Sequence, residues 1–261
     1  MKLINVLCVG DVIGTVGLKI LNRHLSSIKR IKRIDAVIAN GENSADTNGI
    51  TPESAEYLLN CGVDMITTGN HSFQRKESYA LYESDQMPVI RPANYPSKAP
   101  GIGSDVIDLG RVRIRVLNMM GTVEMNPVLD CPFATSDALL ESIEEKIIIM
   151  DLHAEATAEK RALACYLDGR VSAVFGTHTH VQTADEQILP GGTGFITDVG
   201  MTGPINSVIG VSVEAAIEKM KTKMPVRLSY ADGKCMINAV IFSIDEKTGK
   251  TIEVERLNIS D

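Results

Sequence analysis

The chain lacks a Cys-x-x-Cys pair, an apolar run long enough to cross a bilayer, a cleavable-signal pattern at its start, and any surplus of basic residues. Each absence removes a class of protein. The five cysteines (Cys8, Cys61, Cys131, Cys165 and Cys235) are odd in number and show no framework spacing. That excludes a structural cysteine–zinc module, argues against a disulfide scaffold and points to a reducing cytoplasm. The longest apolar runs, such as residues 171–175, fall far short of the roughly 20 residues a membrane helix needs. The first apolar stretch ends at Gly10-Asp11 and reads as a buried strand, not a targeting signal. With 33 acidic residues against 26 basic ones the net charge is −7. Long nucleic acid, which needs a basic surface to replace condensed counterions, is therefore not an expected partner. A small phosphate ester stays admissible, because bound cations reverse a local field. Internal repeats, low-complexity tracts and Ser/Gly-rich linkers are absent as well.

What is there is ordinary globular material: 261 residues, 44% hydrophobic and 23% charged, enough to bury a sizeable core. Residues 3–9 read as a buried strand and 14–28 as a helix, with Val16, Ile20, Leu21, Leu25 and Ile28 near helical spacing. A strand over 36–39 follows, then a helix from Pro52 to about Asn60, with Thr51 as N-cap and Cys61-Gly62 closing it. A strand over 65–68 and a helix over 75–83 complete a βαβαβ order, which implies a mainly parallel sheet. Residues 106–109 and 112–117, separated by Gly110-Arg111, read as an antiparallel hairpin. Strands over 147–150 and 171–175 flank a helix over 155–167. The remainder is mostly strand (187–189, 195–197, 226–230, 235–244 and 251–257) with a helix near 213–221. The turn-rich stretches 91–104 and 119–133 read as long surface loops. Cys8, Cys61 and Cys165 read as small core residues. Because the chemically informative residues fall on both sides of those loops, residues 1–261 read as one domain.

Five short polar strings each follow an apolar, strand-like run: Gly10-Asp11, Gly41-Glu42-Asn43, Gly69-Asn70-His71, Asp151-Leu152-His153 and Gly176-Thr177-His178-Thr179-His180. A strand running into a loop fixes a side chain's position while exposing it. Asp11 and Glu42 offer anionic oxygen, Asn43 and Asn70 offer amide oxygen, and His153, His178 and His180 offer imidazole nitrogen. Carboxylate, amide and imidazole without thiolate suit Fe, Mn, Zn, Co or Ni. Seven candidate ligands are too many for one tetrahedral ion and about right for two ions sharing a carboxylate. Such a pair lowers the pKa of bound water, and the resulting hydroxide can attack phosphorus. A lone histidine is more often a satisfied core residue, as His24 is read here. Applied to four histidines beside Asn, Asp and Gly at strand ends, that reading becomes strained.

The order of these strings resembles that of the calcineurin-like metallophosphoesterases. The fuller strings Asp151-Leu152-His153-Ala154-Glu155-Ala156-Thr157 and Gly176-Thr177-His178-Thr179-His180-Val181 resemble the bacterial YmdB-type branch. Similar strings extend to Thr197-Asp198-Val199-Gly200-Met201-Thr202-Gly203-Pro204. The resemblance implies an α/β fold, a four-layer α/β/β/α sandwich with two packed mixed sheets. It implies one metal held by Asp11, Glu42, Asn43 and His180, and a second held by Glu42, Asn70, His153 and His178, with Glu42 bridging. His71, beside a ligand, would face the phosphate together with Asn43 and protonate the leaving alkoxide. The branch is associated with hydrolysis of cyclic nucleotides, including 2′,3′-cyclic ones, and with iron or manganese. Two departures from the wider superfamily stand out. The usual Gly-Asp-x-His opening is here Gly10-Asp11-Val12-Ile13, without its histidine, and the usual bridging aspartate is Glu42. Asn43 would fill the first gap. The expectation is a cytoplasmic dinuclear phosphodiesterase acting through a metal-bridging hydroxide. The same ligands would also serve a metal- and nucleotide-binding regulator with little turnover, or a phosphomonoesterase.

Weaker signals remain. Gly10, Gly14 and Gly17 miss the spacing of a dinucleotide-binding loop, since Val12 stands where a glycine is needed. Gly249-Lys250-Thr251 reads as a hairpin turn. Met119, Met120 and Met125, with Pro127 and Pro132, read either as a loop covering the site or as a subunit contact, so a homo-oligomer stays open. Arg91 reads as a surface salt bridge or a phosphate contact. Glu155 and Glu159 read as acceptors orienting the ligands or as a solvated helix face. Residues 197–204 read as a tight glycine-rich turn.

Overall fold

The computed structural model describes residues 2–84 and 87–261. Strand β1 (Leu3–Val9) leads through the two-residue β2 (Asp11–Val12) into helix α1 (Gly14–Lys32), then β3 (Ala36–Asn40), helix α2 (Pro52–Cys61) and β4 (Met65–Thr67). Helix α2 starts where the chain offers a reciprocal cap. Thr51 Oγ1 accepts from the Ser54 N–H, and Ser54 Oγ accepts from the Thr51 N–H. It ends at Gly62, whose φ of 102° favours glycine. A 3₁₀ turn over Lys76–Ser78 precedes the short helix α3 (Tyr79–Tyr82). The hairpin β5 (Ser104–Asp108) and β6 (Arg113–Met120) follows, then helix α4 (Pro132–Leu140), β7 (Ile147–His153), helix α5 (Thr157–Tyr166) and β8 (Ala173–Thr177). The chain finishes with β9 (Gln187–Ile188), β10 (Gly194–Ile196), β11 (Met201–Pro204), helix α6 (Val213–Thr222), β12 (Cys235–Asp245) and β13 (Thr251–Ser260).

Two mixed sheets result. One runs β2-β11-β12-β1-β3-β4, with β13 also paired to β12; the other runs β5-β6-β7-β8-β10-β9. Strand alternation sorts the side chains into three cores. Ile4, Val6 and Cys8 of β1 meet Ile114, Val116, Ile147, Ile149 and Phe175 between the sheets. Leu7 and Val9 face the other way and pack with Leu18, Leu21 and Leu25 of α1 and Leu58 of α2. On the far side, Ile148, Met150 and Leu152 of β7 pack with Leu163 and Ala164 of α5. The architecture is therefore the expected α/β/β/α sandwich.

Several expectations need correction. Residues 226–230 form no strand, only an isolated bridge from Val211 to Tyr230, because no neighbouring strand extends the ladder. Residues 201–204, expected in a turn, form the buried β11, paired parallel with β2 and antiparallel with β12. Met119 and Met120 end β6 and are fully buried, while Pro132 opens α4, so residues 119–133 are not one surface loop. Helix 75–83 is shortened to a 3₁₀ turn and one α-turn. Cys165 is exposed, not core, and His24 is half-exposed beside Asp261, 3.5 Å away.

Ile149→Ala, in the core between the sheets, is expected to lower unfolding free energy by about 2–5 kcal/mol. Ile31→Ala, at a residue 70% exposed, should change it by no more than about 0.5 kcal/mol. Urea titration of both variants checks the assignment.

Candidate metal centre

The strand alternation that builds the inter-sheet core also builds the site. In β7 the inward positions run Ile147, Ile149, Asp151, His153; in β8 they run Ala173, Phe175, Thr177; in β3, Ala36, Ile38, Asn40; in β4, Met65, Thr67. At the carboxyl ends of these strands the inward residue changes from apolar to polar. Asp151 accepts from Asn40 Nδ2 (3.0 Å) and Thr67 Oγ1 (2.5 Å) of one sheet and from Thr177 Oγ1 (2.7 Å) of its own. All four residues are fully buried. Burial lifts the Asp151 carboxyl to about 6, against the opposing pull of His153 and these hydrogen bonds. Because Thr177 spends its proton on Asp151, it accepts from His153 Nδ1 at 2.9 Å. His153 Nε2 is then the nitrogen that faces the site.

The seven residues read as ligands converge. Glu42, His153 and His178 each bring a donor atom within 4.8 Å of the others. His153 Nε2 lies 2.8 Å from Asn70 Oδ1, 3.3 Å from Glu42 Oε1 and 3.1 Å from His178 Nδ1. Beside them, His180 Nε2 lies 3.6 Å from Asp11 Oδ1 and 3.4 Å from Asn43 Nδ2. Asn43 Nδ2 also donates to Glu42 Oε1 at 3.1 Å, so Glu42 touches both groups. His71 joins through its backbone N–H to Glu42 Oε2 and its Nδ1 to Glu42 Oε1, both 3.0 Å. At Gly69 a Cβ would stand 2.2 Å from the His153 ring, which explains a glycine before Asn70.

The outer nitrogen of each site histidine is tied. His178 Nε2 faces Glu155 Oε2 at 3.2 Å, and His180 Nδ1 donates to Ile209 O at 2.8 Å. With His153 held by Thr177, all three rings turn their other nitrogen inward, as second-shell partners do in metal sites. Burial disfavours charge on Asp11, yet His180 outweighs it and holds the carboxyl below its ordinary value. In return Asp11 lifts His180 to about 9 despite burial. Burial and then the His153 charge push His178 down to about 4. Burial opposes the charge of Glu42 too, but His153 and His71 hold it well below the usual range.

A cation fits this donor set. Among the described residues no donor lies within hydrogen-bond distance of the buried Asp11 Oδ1, the His180 ring standing 3.6 Å away, and a cation beside it would complete this oxygen. Three inward imidazole nitrogens, two buried carboxylates and two amides form a mixed oxygen–nitrogen set without thiolate, suited to Fe, Mn, Zn, Co or Ni. The site opens into a cleft of about 780 Å³ floored by His71, His178 and His180 and walled by Ile209, Leu228 and Tyr230.

Sequence reasoning passed over the parts that hold the final loop. His178 and His180 have φ of 98° and 66°, a left-handed backbone that costs a non-glycine residue roughly 1–3 kcal/mol. Between them Thr179 donates its N–H (3.2 Å) and hydroxyl (2.8 Å) to Asp198 Oδ2. Lys160, wholly buried, donates to that same oxygen (2.7 Å) and to Thr177 O (2.8 Å). The missed signal was a lysine among the apolar positions of a helix. β8 continues through Thr177, two residues beyond the end expected at 175.

The weaker candidates divide. Glu155 reaches His178, whereas Glu159 accepts from the Thr122 N–H and hydroxyl and so holds a loop. Arg91 is neither a phosphate contact nor a surface ion pair: it is buried and donates to the carbonyls of Pro92, Pro100 and Gly101. Gly10 packs against the backbone at Gly200, where a Cβ would lie 2.0 Å from the carbonyl oxygen. That contact explains both the glycine and the string 197–204.

The sequence model of the YmdB-like protein family matches residues 7–257. A Bacillus subtilis (strain 168) protein described as 2′,3′-cyclic-nucleotide 2′-phosphodiesterase is 41% identical over 98% of this chain and 97% of its own length. The crystal structure of a phosphatase from Mycoplasma pneumoniae, 34% identical, superposes with a TM-score of 0.94 over 100% of this chain and 94% of that one. A Bacillus subtilis calcineurin-like phosphoesterase, only 10% identical, shares the fold with a TM-score of 0.59 over 99% and 90% of the two chains. Two packed mixed sheets in this order are the calcineurin-like phosphoesterase fold, and the relatives above 30% identity are described as a phosphodiesterase and a phosphatase, a hydrolytic class. Within it, the chain belongs to the YmdB-like family. Among the described residues no helix is long and apolar enough to cross a membrane.

Lys160→Ala leaves Asp198 buried without its counter-charge and should cost about 3–5 kcal/mol in chemical denaturation. A change below about 1 kcal/mol would show that the pair does not hold the loop.

Proposed function

We propose that residues 1–261 form one domain that hydrolyses small phosphodiesters, cyclic nucleotides among them, with two bound metal ions. Asp11, Glu42, Asn43 and His180 would hold one ion, and Glu42, Asn70, His153 and His178 the other. The observation that carries this reading is the convergence of those seven side chains around Glu42, with no donor among the described residues within hydrogen-bond distance of the buried Asp11 Oδ1. Among the metals this oxygen–imidazole set suits, the resemblance to the YmdB-type branch favours iron or manganese. The named activity of the Bacillus subtilis relative supports 2′,3′-cyclic nucleotides as the substrate class.

When bound, the ions supply Lewis acidity that activates water and offsets charge on the phosphoryl oxygens. The chain's own residues do the rest. Glu42 orients His71 from both sides, at its backbone and at Nδ1, so that Nε2 faces the cleft. Asn48 Nδ2 donates to that nitrogen at 3.2 Å; a doubly protonated His71 would turn its Nε2–H to the leaving oxygen instead and give up that proton there. Ile209, Val211, Leu228 and Tyr230 offer an apolar wall for the nucleoside. Arg75 braces the rim by donating to Thr47 O and Asn48 O.

Glu42→Gln is expected to reduce metal content and to lower hydrolysis of bis-p-nitrophenyl phosphate by about 10³-fold or more. Full activity in that variant sinks the dinuclear reading. His71→Ala should keep both ions while the rate falls by about 10²–10⁴-fold; loss of metal would mark His71 as a ligand instead. Glu155→Ala should weaken metal affinity by about 10–100-fold with the fold intact, measured by competition with a chelating dye.

A further inference from the structure

An amphipathic helix normally turns its apolar stripe toward a core. Helix α1 does so, burying Leu18, Leu21, Leu25 and Ile28. Helix α6 does not. Among its residues only Ala216 is buried, while Val213, Ile217 and Met220 recur at spacings of four and three and face water. Ile217 is 49% exposed and Met220 64%; Met224, just past the helix end, is 63% exposed. Spacings of four and three make the seam by which two helices pack side by side. The helix is well formed in its own right: Ser212 Oγ accepts from the Ala215 N–H at the start, and Lys223 closes it in a left-handed turn. It therefore presents a rigid apolar ridge.

Charge along the ridge selects the partner. Glu214 stands in the first turn, Lys219 and Lys221 in the last, and Lys223 at the cap, with Glu218 at the middle. A second copy laid antiparallel sets the acidic first turn against the basic last turn twice over, and sets Glu218 against Lys219 at the centre. A parallel copy would set Glu214 against Glu214. The helix dipole favours the same distribution of charge within one helix, but it gives no reason for an apolar stripe turned to water. Self-complementarity is what a two-fold interface requires. We propose that α6 is a pairing surface, on which α6 of a second copy of this chain lies antiparallel about a two-fold axis.

The pairing surface is joined directly to the cleft. Ile209 and Val211 precede α6 and Leu228 and Tyr230 follow it, and all four line the cleft. The two connections are stitched together by the Ser212 N–H to Ser229 O bond at 2.9 Å and by the Val211–Tyr230 bridge. Ile209 O is also the acceptor that orients His180. Pairing thus immobilises the segment that forms one wall of the cleft.

The test is the mass of the full chain in solution, by light scattering on a sizing column at micromolar concentration. The wild-type chain is expected at twice the chain mass or an even multiple of it. Ile217→Glu should halve that mass while its thermal melt stays cooperative. Charge reversal provides a second route that leaves the ridge intact. Glu214→Lys with Glu218→Lys in one protein, and Lys219→Glu, Lys221→Glu and Lys223→Glu in another, should each lower the mass alone. An equimolar mixture of the two should restore it. A wild-type chain that stays monomeric overturns the proposal, as does an oligomer whose mass Ile217→Glu leaves unchanged. A monomer that instead floats with phosphatidylglycerol vesicles, and loses that binding in Ile217→Glu, assigns the ridge to a lipid surface and overturns it too.

Discussion

A single buried carboxylate ties the two sheets together at the point where their shared core stops being apolar. Asp151, on the second sheet, takes protons from Asn40 and Thr67 of the first and from Thr177 beside it. No water reaches it, so each lone pair left without a donor would cost free energy on the order of 1–3 kcal/mol. The neighbouring strands must therefore end in residues that donate. That requirement converts the inward face of four strands from packing surface to polar network within one residue pair. It also fixes Thr177 as an acceptor toward His153, and so fixes which nitrogen of His153 faces the site.

The remaining site residues build outward from that point under increasing backbone strain. His153 is still on a strand, Asn70 and Glu42 sit just past strand ends, and His178 and His180 adopt left-handed backbone. The strain persists because Thr179 is pinned between them to Asp198, whose charge is balanced by Lys160 reaching up from α5. Sequence, packing and chemistry are linked here: a lysine inside a helix reads as a flaw in the apolar pattern until the carboxylate above it is known. Rigid placement suits a reaction in which the groups around phosphorus act by position and charge.

Much of the site was legible from the chain because strand ends announce themselves. An apolar run followed by a short polar string of Asp, Glu, Asn or His gives both the element and the candidate ligand, and all seven such residues meet. What stayed hidden depends on parity and long-range contact. Asn40, Thr67 and Thr177 look like ordinary strand residues until the inward face is identified, and Asp151 was read only as part of a string. Met201–Pro204 looked like a turn because its glycine and proline suit one, yet its neighbours β2 and β12 draw it into the sheet. Arg91 carried a surface residue's chemistry, but the four carbonyls of Pro92, Ala99, Pro100 and Gly101 drew it inside. Residues 226–230 had strand propensity and no neighbour to satisfy it, so propensity lost.

Two adjacent groups of donors share Glu42, one completed by Asp11 and His180, the other by His153 and His178. Anomalous diffraction from crystals of the chain grown with manganese resolves this. Two separate peaks are expected, one next to Asp11, Asn43 and His180 and one next to Asn70, His153 and His178, with Glu42 reaching both. A lone peak by His153, leaving Asp11 Oδ1 with no ion beside it, would show that the centre is not dinuclear and that the orphaned carboxylate oxygen has another cause.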